Sequence, residues 1–125
     1  MARHPNIEHF FFYRGDTQVF PLEITSLDNV PVNITGHEWW FTMKRSADHQ
    51  DSDAVFQKRL VFPPGDQSLV GKGVLILHSN ETKTIEPGIY LYDMQHVIPG
   101  FPPVVATLMS GQINVLADIT SSDGS

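Results

Sequence analysis

Six histidines, His4, His9, His37, His49, His78 and His96, are the side chains with the widest chemical reach in this sequence. A helical zinc site sets two imidazoles four residues apart on one face, with a Glu beside the first. No His pair here has that spacing, and His37 follows a turn glycine, so no metal ligand set is assigned. The run Asp48-His49-Gln50-Asp51-Ser52-Asp53 offers oxygen ligands to calcium. It lacks the central Gly and the closing bidentate Glu of an EF-hand, and reads as a solvated acidic loop. Ser110-Gly111 lies between two expected strands, without the Gly-x-Ser-x-Gly elbow of a nucleophile that precedes a helix. Gly71-Lys72-Gly73 is too short for a phosphate loop and no Ser or Thr follows it. Arg14-Gly15-Asp16 spells an integrin-binding tripeptide, but a tight turn feeding a strand explains the same glycine. No catalytic pair of carboxylates stands out. The expectation is a non-enzymatic protein with no catalytic residue, metal or cofactor site.

The elements that would position any site follow from composition and patterning. The chain has 125 residues, 41% of them hydrophobic and 18% charged, which is one domain with enough apolar surface for a core. Eight Lys+Arg against fourteen Asp+Glu give a net charge of −6. A nucleic-acid backbone needs a basic surface, so that partner is not expected. The absence of Cys excludes disulfide scaffolds, thiolate zinc sites and Cys nucleophiles. No apolar stretch is long enough to span a bilayer, and the opening residues lack the pattern of a signal peptide. Asn33-Ile34-Thr35 and Asn80-Glu81-Thr82 match glycosylation acceptors but read as polar turns. The expected product is soluble and made in a reducing compartment.

Short alternating stretches between turn residues dominate the sequence, and no helical stripe is sustained. Along Gln18–Thr25, Phe20, Leu22 and Ile24 share one face, and Pro21 marks an edge strand or a bulge. Further strands are expected at Val32–Ile34, ending at Gly36, and at Glu38–Arg45, with Trp39, Phe41 and Met43 inward. Others follow at Val55–Val61, Gly73–His78, Gly88–Val97, Val104–Ser110 and Gln112–Leu116. Leu27-Asp28-Asn29 and Pro63-Pro64-Gly65-Asp66 read as turns, Pro99–Pro103 as a hairpin tip, and Asn80–Ile85 as one helical turn. Gly88 and Tyr90 fit a tyrosine corner, in which a strand-opening Tyr bonds back across its own connection. These signals predict an all-β fold, a Greek-key β-sandwich of seven to eight antiparallel strands. The expected organisation is an N-terminal arm over 1–12, the sandwich over 13–117 and a tail over 118–125.

The order of short motifs carries a resemblance. Arg14-Gly15-Asp16-Thr17 opens the first strand, and Asn29-Val30-Pro31-Val32-Asn33-Ile34-Thr35-Gly36 follows it. Later come Glu86-Pro87-Gly88-Ile89-Tyr90-Leu91-Tyr92-Asp93 and Ser110-Gly111-Gln112-Ile113-Asn114-Val115. From Tyr13 to Thr120 this order resembles the small Ig-like β-sandwich modules of tailed-bacteriophage virions, among them the N-terminal domain of the baseplate upper protein. Asn33-Ile34 stands where that pattern prefers Asp-Leu, and Asn29-Val30 replaces a Gly-bearing turn. The resemblance implies an Ig-like fold and a structural role in a virion, with assembly in the host cytoplasm. It brings no catalytic residue with it.

The aromatic inventory exceeds the needs of a core. Phe10-Phe11-Phe12-Tyr13 cannot all face one way in a strand, and neither can Trp39 and Trp40. Phe101 sits on a stiff loop tip between prolines. Phe10, Phe12, Trp40 and Phe101 are therefore expected to be docking anchors, and Gly15, Gly36, Gly88 and Tyr90 structural residues. The expected partners are other virion proteins, in a tail, baseplate or fibre-connecting position, with several copies per particle and no nucleic acid or membrane contact. One alternative is a capsid decoration protein. Another is a carbohydrate-binding module stacking sugars on Trp40, Tyr92 or Phe101.

Overall fold

Trp39, Phe41 and Met43 alternate with Trp40, Thr42 and Lys44 along one strand, and the first three are buried. That strand sits inside the larger of two sheets in the computed structural model, which describes residues 6–26, 28, 30–45 and 54–117. The strands are β1 (Asn6–Ile7), β2 (Phe10–Tyr13), β3 (Gln18–Glu23), β4 (Glu38–Lys44), β5 (Phe56–Val61), β6 (Lys72–Leu77), β7 (Gly88–Ile98) and β8 (Val104–Leu116). Two single-turn helices, α1 (Asp66–Leu69) and α2 (Ser79–Thr82), lie in the connections. The chain is all-β in this sense.

The larger sheet runs β1-β8-β7-β4-β5, with β2 also pairing β8. The smaller sheet is β3 against β6. Phe41, Tyr92, Met94 and Ile113 from the first sheet and Leu22, Leu75 and Leu77 from the second form one buried cluster. Burying such side chains is the main driving force for holding the sheets together, at about 1.5–3 kcal/mol for each fully buried one. Pro21 lies in β3, whose one partner among the described residues is β6, so its missing N–H falls on a sheet edge. At the far edge of the larger sheet, Lys58 on β5 reaches across to the smaller sheet. Its Nζ donates to the Ile76 carbonyl at 2.6 Å and to Glu81 Oε1 at 2.7 Å.

Four expectations need correction. The pairing is mixed rather than wholly antiparallel, because β1 and β2 both run parallel to β8. The boundary drawn between arm and sandwich at residue 13 falls inside β2, where Phe12 is in the core. Val32–Ile34 is no strand: Thr25 and Pro31 form an isolated bridge, and Ile34 reaches the core from a loop whose amide bonds to the Ser68 carbonyl. The two strands expected on either side of Gly111 are one continuous β8. Gly111 is needed there for close approach, not to end a strand. A Cβ on it would collide with the Glu8 carbonyl oxygen, which lies against β8 where β1 gives way to β2. The tail over 118–125 and the acidic run 48–53 lie outside the described residues, as do Leu27 and Asn29 of the expected turn.

Candidate functional site

Prolines cannot donate to a ladder, so Pro99, Pro102 and Pro103 end the pairing of β7 with β8 and leave a projecting tip. Phe101 sits on that tip with 106% relative exposure, followed by exposed Val104 and Val105. Among the described residues β8 has a partner on one side only here, since β1 is described from Asn6, opposite Met109. The tip is therefore an apolar knob on a hairpin extending past its neighbours.

A second feature lies on the outer face of the larger sheet. Glu38, Trp40 and Arg59 form a closed set: Trp40 Nε1 donates to Glu38 Oε1 at 2.9 Å, and Arg59 Nη2 to Glu38 Oε2 at 2.7 Å. The guanidinium also lies over the Trp40 ring, 5.9 Å from its centre. Hydrogen bonds from Arg59 first, and then from Trp40, pull the Glu38 carboxyl down to about 2. Further along this face a cleft of about 470 Å³ runs between β4, β7 and β8, lined by Thr42, Lys44, Leu91, Asp93, Ser110 and Gln112 among others.

The third feature is a histidine pair at the tip end of the sandwich. His37 Nδ1 and His96 Nε2 stand 2.9 Å apart. Cross-strand from His96 is Trp39, whose indole N–H is buried without a partner among the described residues. Burial, and then the charge of His37, hold His96 below the ordinary imidazole value.

Of the four expected anchors, Phe101 is fully exposed and Trp40 half-exposed under Arg59. Phe10 is half-buried, packed edge-on against Phe20 at 5.3 Å and tilted against Tyr92 at 5.6 Å. Phe12 is a correction: it is 3% exposed and belongs to the core. The parallel register sets Phe10 beside Ile113 and Phe12 beside Val115, whose side chains face inward, so the alternation turns Phe11 and Tyr13 to solvent. Phe11 is 63% exposed, and it is the surface aromatic that sequence reasoning missed. Tyr92 drops out of the sugar-stacking set because it is buried, its hydroxyl donating to the Glu8 carbonyl at 2.7 Å. Burial, and then the Glu8 charge, push that hydroxyl well above its ordinary value.

The structural residues have identifiable partners. Tyr90 donates to the Glu86 carbonyl at 2.6 Å, four residues back, with Gly88 between them. Gly36 has φ of 81° in the turn before His37, and its N–H bonds to the Phe62 carbonyl at 2.9 Å. Gly15, with φ of 90°, donates to Thr82 Oγ1 at 3.1 Å. That same hydroxyl donates to the Asp16 carbonyl at 2.8 Å, and Arg14 Nε to the Lys83 carbonyl at 2.9 Å. The Arg-Gly-Asp tripeptide is thus tied down on α2 rather than displayed on a projecting loop. Ser110 lies within β8, and Lys72-Gly73 opens β6. His4, His49 and the calcium-like run are outside the described residues. Among the described residues no three His, Asp or Glu side chains converge as a metal site.

No protein-family model matches the chain, and a search of curated proteins finds no match either.

Proposed function

We propose that this chain is an Ig-like Greek-key sandwich that works as a non-enzymatic docking protein of a bacteriophage virion, in several copies and in a tail, baseplate or fibre-connecting position. The observation that carries the docking role is Phe101, wholly exposed on a proline-bracketed tip with Val104 and Val105 behind it. A large exposed ring costs nothing to desolvate from its own fold and gives a partner roughly 150–250 Å² of apolar contact. The strand order supports the Ig-like reading, with β2-β8-β7-β4-β5 facing β3-β6, and so does the backward bond of Tyr90. The virion assignment rests on the ordered motifs from Tyr13 to Thr120. A capsid decoration protein would use the same tip, against head subunits instead of tail subunits.

The test is assembly. Particles produced with Phe101→Ser should carry at least tenfold fewer copies of a chain that is still folded, by quantitative mass spectrometry of purified virions. Wild-type incorporation of that variant would remove the tip from the docking role. A carbohydrate-binding reading has one observation in its favour, Trp40 on a polar sheet face beside a cleft. Against it, Arg59 lies over the ring that a sugar would stack on. Binding of the isolated chain to an array of glycans, lost in Trp40→Ala, would favour that reading instead.

A further inference from the structure

His37 stands in the turn leading into β4, and His96 is two residues from the end of β7, at the base of the Phe101 hairpin. Their facing nitrogens are 2.9 Å apart, with ring centres separated by 5.0 Å and planes inclined by 36°. At that separation one hydrogen lies between the two nitrogens, so one ring donates and the other accepts. His96 is only 9% exposed, which keeps water from replacing its partner. We propose that this imidazole pair is a proton-operated clasp, joining the 31–37 loop to the β7–β8 hairpin near neutral pH and releasing it in mild acid.

The chemistry of the pair sets the sign. The first added proton gives an imidazolium and an imidazole that still share one hydrogen. The second has to sit on a facing nitrogen, so that two N–H donors and two positive charges meet at contact distance. The pair therefore titrates as a unit, its second step far harder than its first. An unfolded chain takes up protons on both rings from about pH 6.5 downward. The folded chain resists the His96 proton, so stability is full above that pH and falls as the solution becomes more acidic.

Burial and His37 are the causes that lower His96. On β4, the Glu38 carboxylate is engaged with Trp40 and Arg59 of the outer face. On β8, the residues around the position opposite His96, namely Val105, Ala106 and Thr107, carry no ionisable group. On the smaller sheet, Glu23 and Lys72 at this end are exposed, as is Asp66 on α1. The clasp stands whether or not the chain belongs to a virion.

Imidazole nitrogen NMR and amide exchange on the full chain, between pH 8 and pH 4, test it. The expected result is a two-step coupled titration. Between pH 7 and pH 5, protection of residues 31–37 and 96–106 should fall about tenfold after correction for intrinsic exchange. In His37→Gln, which alters the more exposed ring, His96 should titrate in one step, and the pH dependence of that protection should shrink to what the burial of His96 alone imposes. In His96→Gln the pH dependence of that protection should be lost; if that variant does not fold, His37→Gln decides alone. A wild-type His96 that titrates like an isolated imidazole, or hairpin protection that does not change with pH, overturns the clasp.

Discussion

The two ends of the sandwich treat their polar and apolar groups in opposite ways. At the end where β2 turns into β3, polar groups are spent on the fold itself. The Thr82 hydroxyl binds both Gly15 and Asp16, Arg14 reaches the Lys83 carbonyl, Tyr90 reaches Glu86, and Lys58 joins Glu81 to the β6 edge. At the other end the β7–β8 hairpin holds Phe101, Val104 and Val105 out to solvent, above a histidine pair that shares a single hydrogen. The first end ties its polar groups to one another, with Phe11 and Ile89 still exposed beside it, whereas the second projects an apolar tip above a contact that a proton can break. Residues that hold the fold are thus separated from residues available for docking.

Substitutions should separate the two ends in order of effect. The largest loss is expected between them, at Gly111→Ala. A methyl there must displace the Glu8 carbonyl and with it the Tyr92 bond, costing about 3 kcal/mol in urea unfolding and freeing the N-terminal strands to proteases. Thr82→Val keeps the shape but orphans the Gly15 N–H and the Asp16 carbonyl, and should cost about 2 kcal/mol at the tied end. Tyr90→Phe should cost about 1 kcal/mol, and an unchanged melting curve would refute a structural role for its hydroxyl. Phe101→Ser should leave stability within about 0.5 kcal/mol, because the ring touches nothing it could lose. A large destabilisation by that variant would erase the distinction between the ends. The smallest effect belongs to the outer face. Glu38 has a carboxyl held near 2, so its pairing with Arg59 contributes above the ordinary carboxylate value of 4.5 and fades as pH falls toward 2. Salt should screen most of it, which a comparison of Glu38→Gln with wild type at low and high ionic strength would measure.

Each end was legible in the residues only in part. Alternation along β4 named Trp39, Phe41 and Met43 as inward, because that strand carries its own period, whereas Tyr92, offered as a sugar-stacking ring, is buried. Pro21 announced an edge, and the Gly88–Tyr90 spacing announced a bond across a connection. Phe10–Tyr13 could not be oriented the same way. Four consecutive aromatics have no period, and their phase is set by Ile113 and Val115, which lie about a hundred positions further along. Gly111 resembled a break because a glycine in a strand usually marks one, yet the cause is a carbonyl from residue 8. The histidine pair was invisible for the same reason, with 59 positions between its members. Local patterns record what a residue does within its own strand, not what reaches it from elsewhere in the chain.

The parallel pairing of β1 and β2 with β8 also has a consequence for biogenesis. β1 and β2 find their partner in β8, about a hundred positions further along, so this part of the larger sheet cannot form until β8 has been made. Until then the inward face of β2, with Phe12, lacks its β8 partner, and a nascent chain stalled near residue 105 should be a substrate for chaperones.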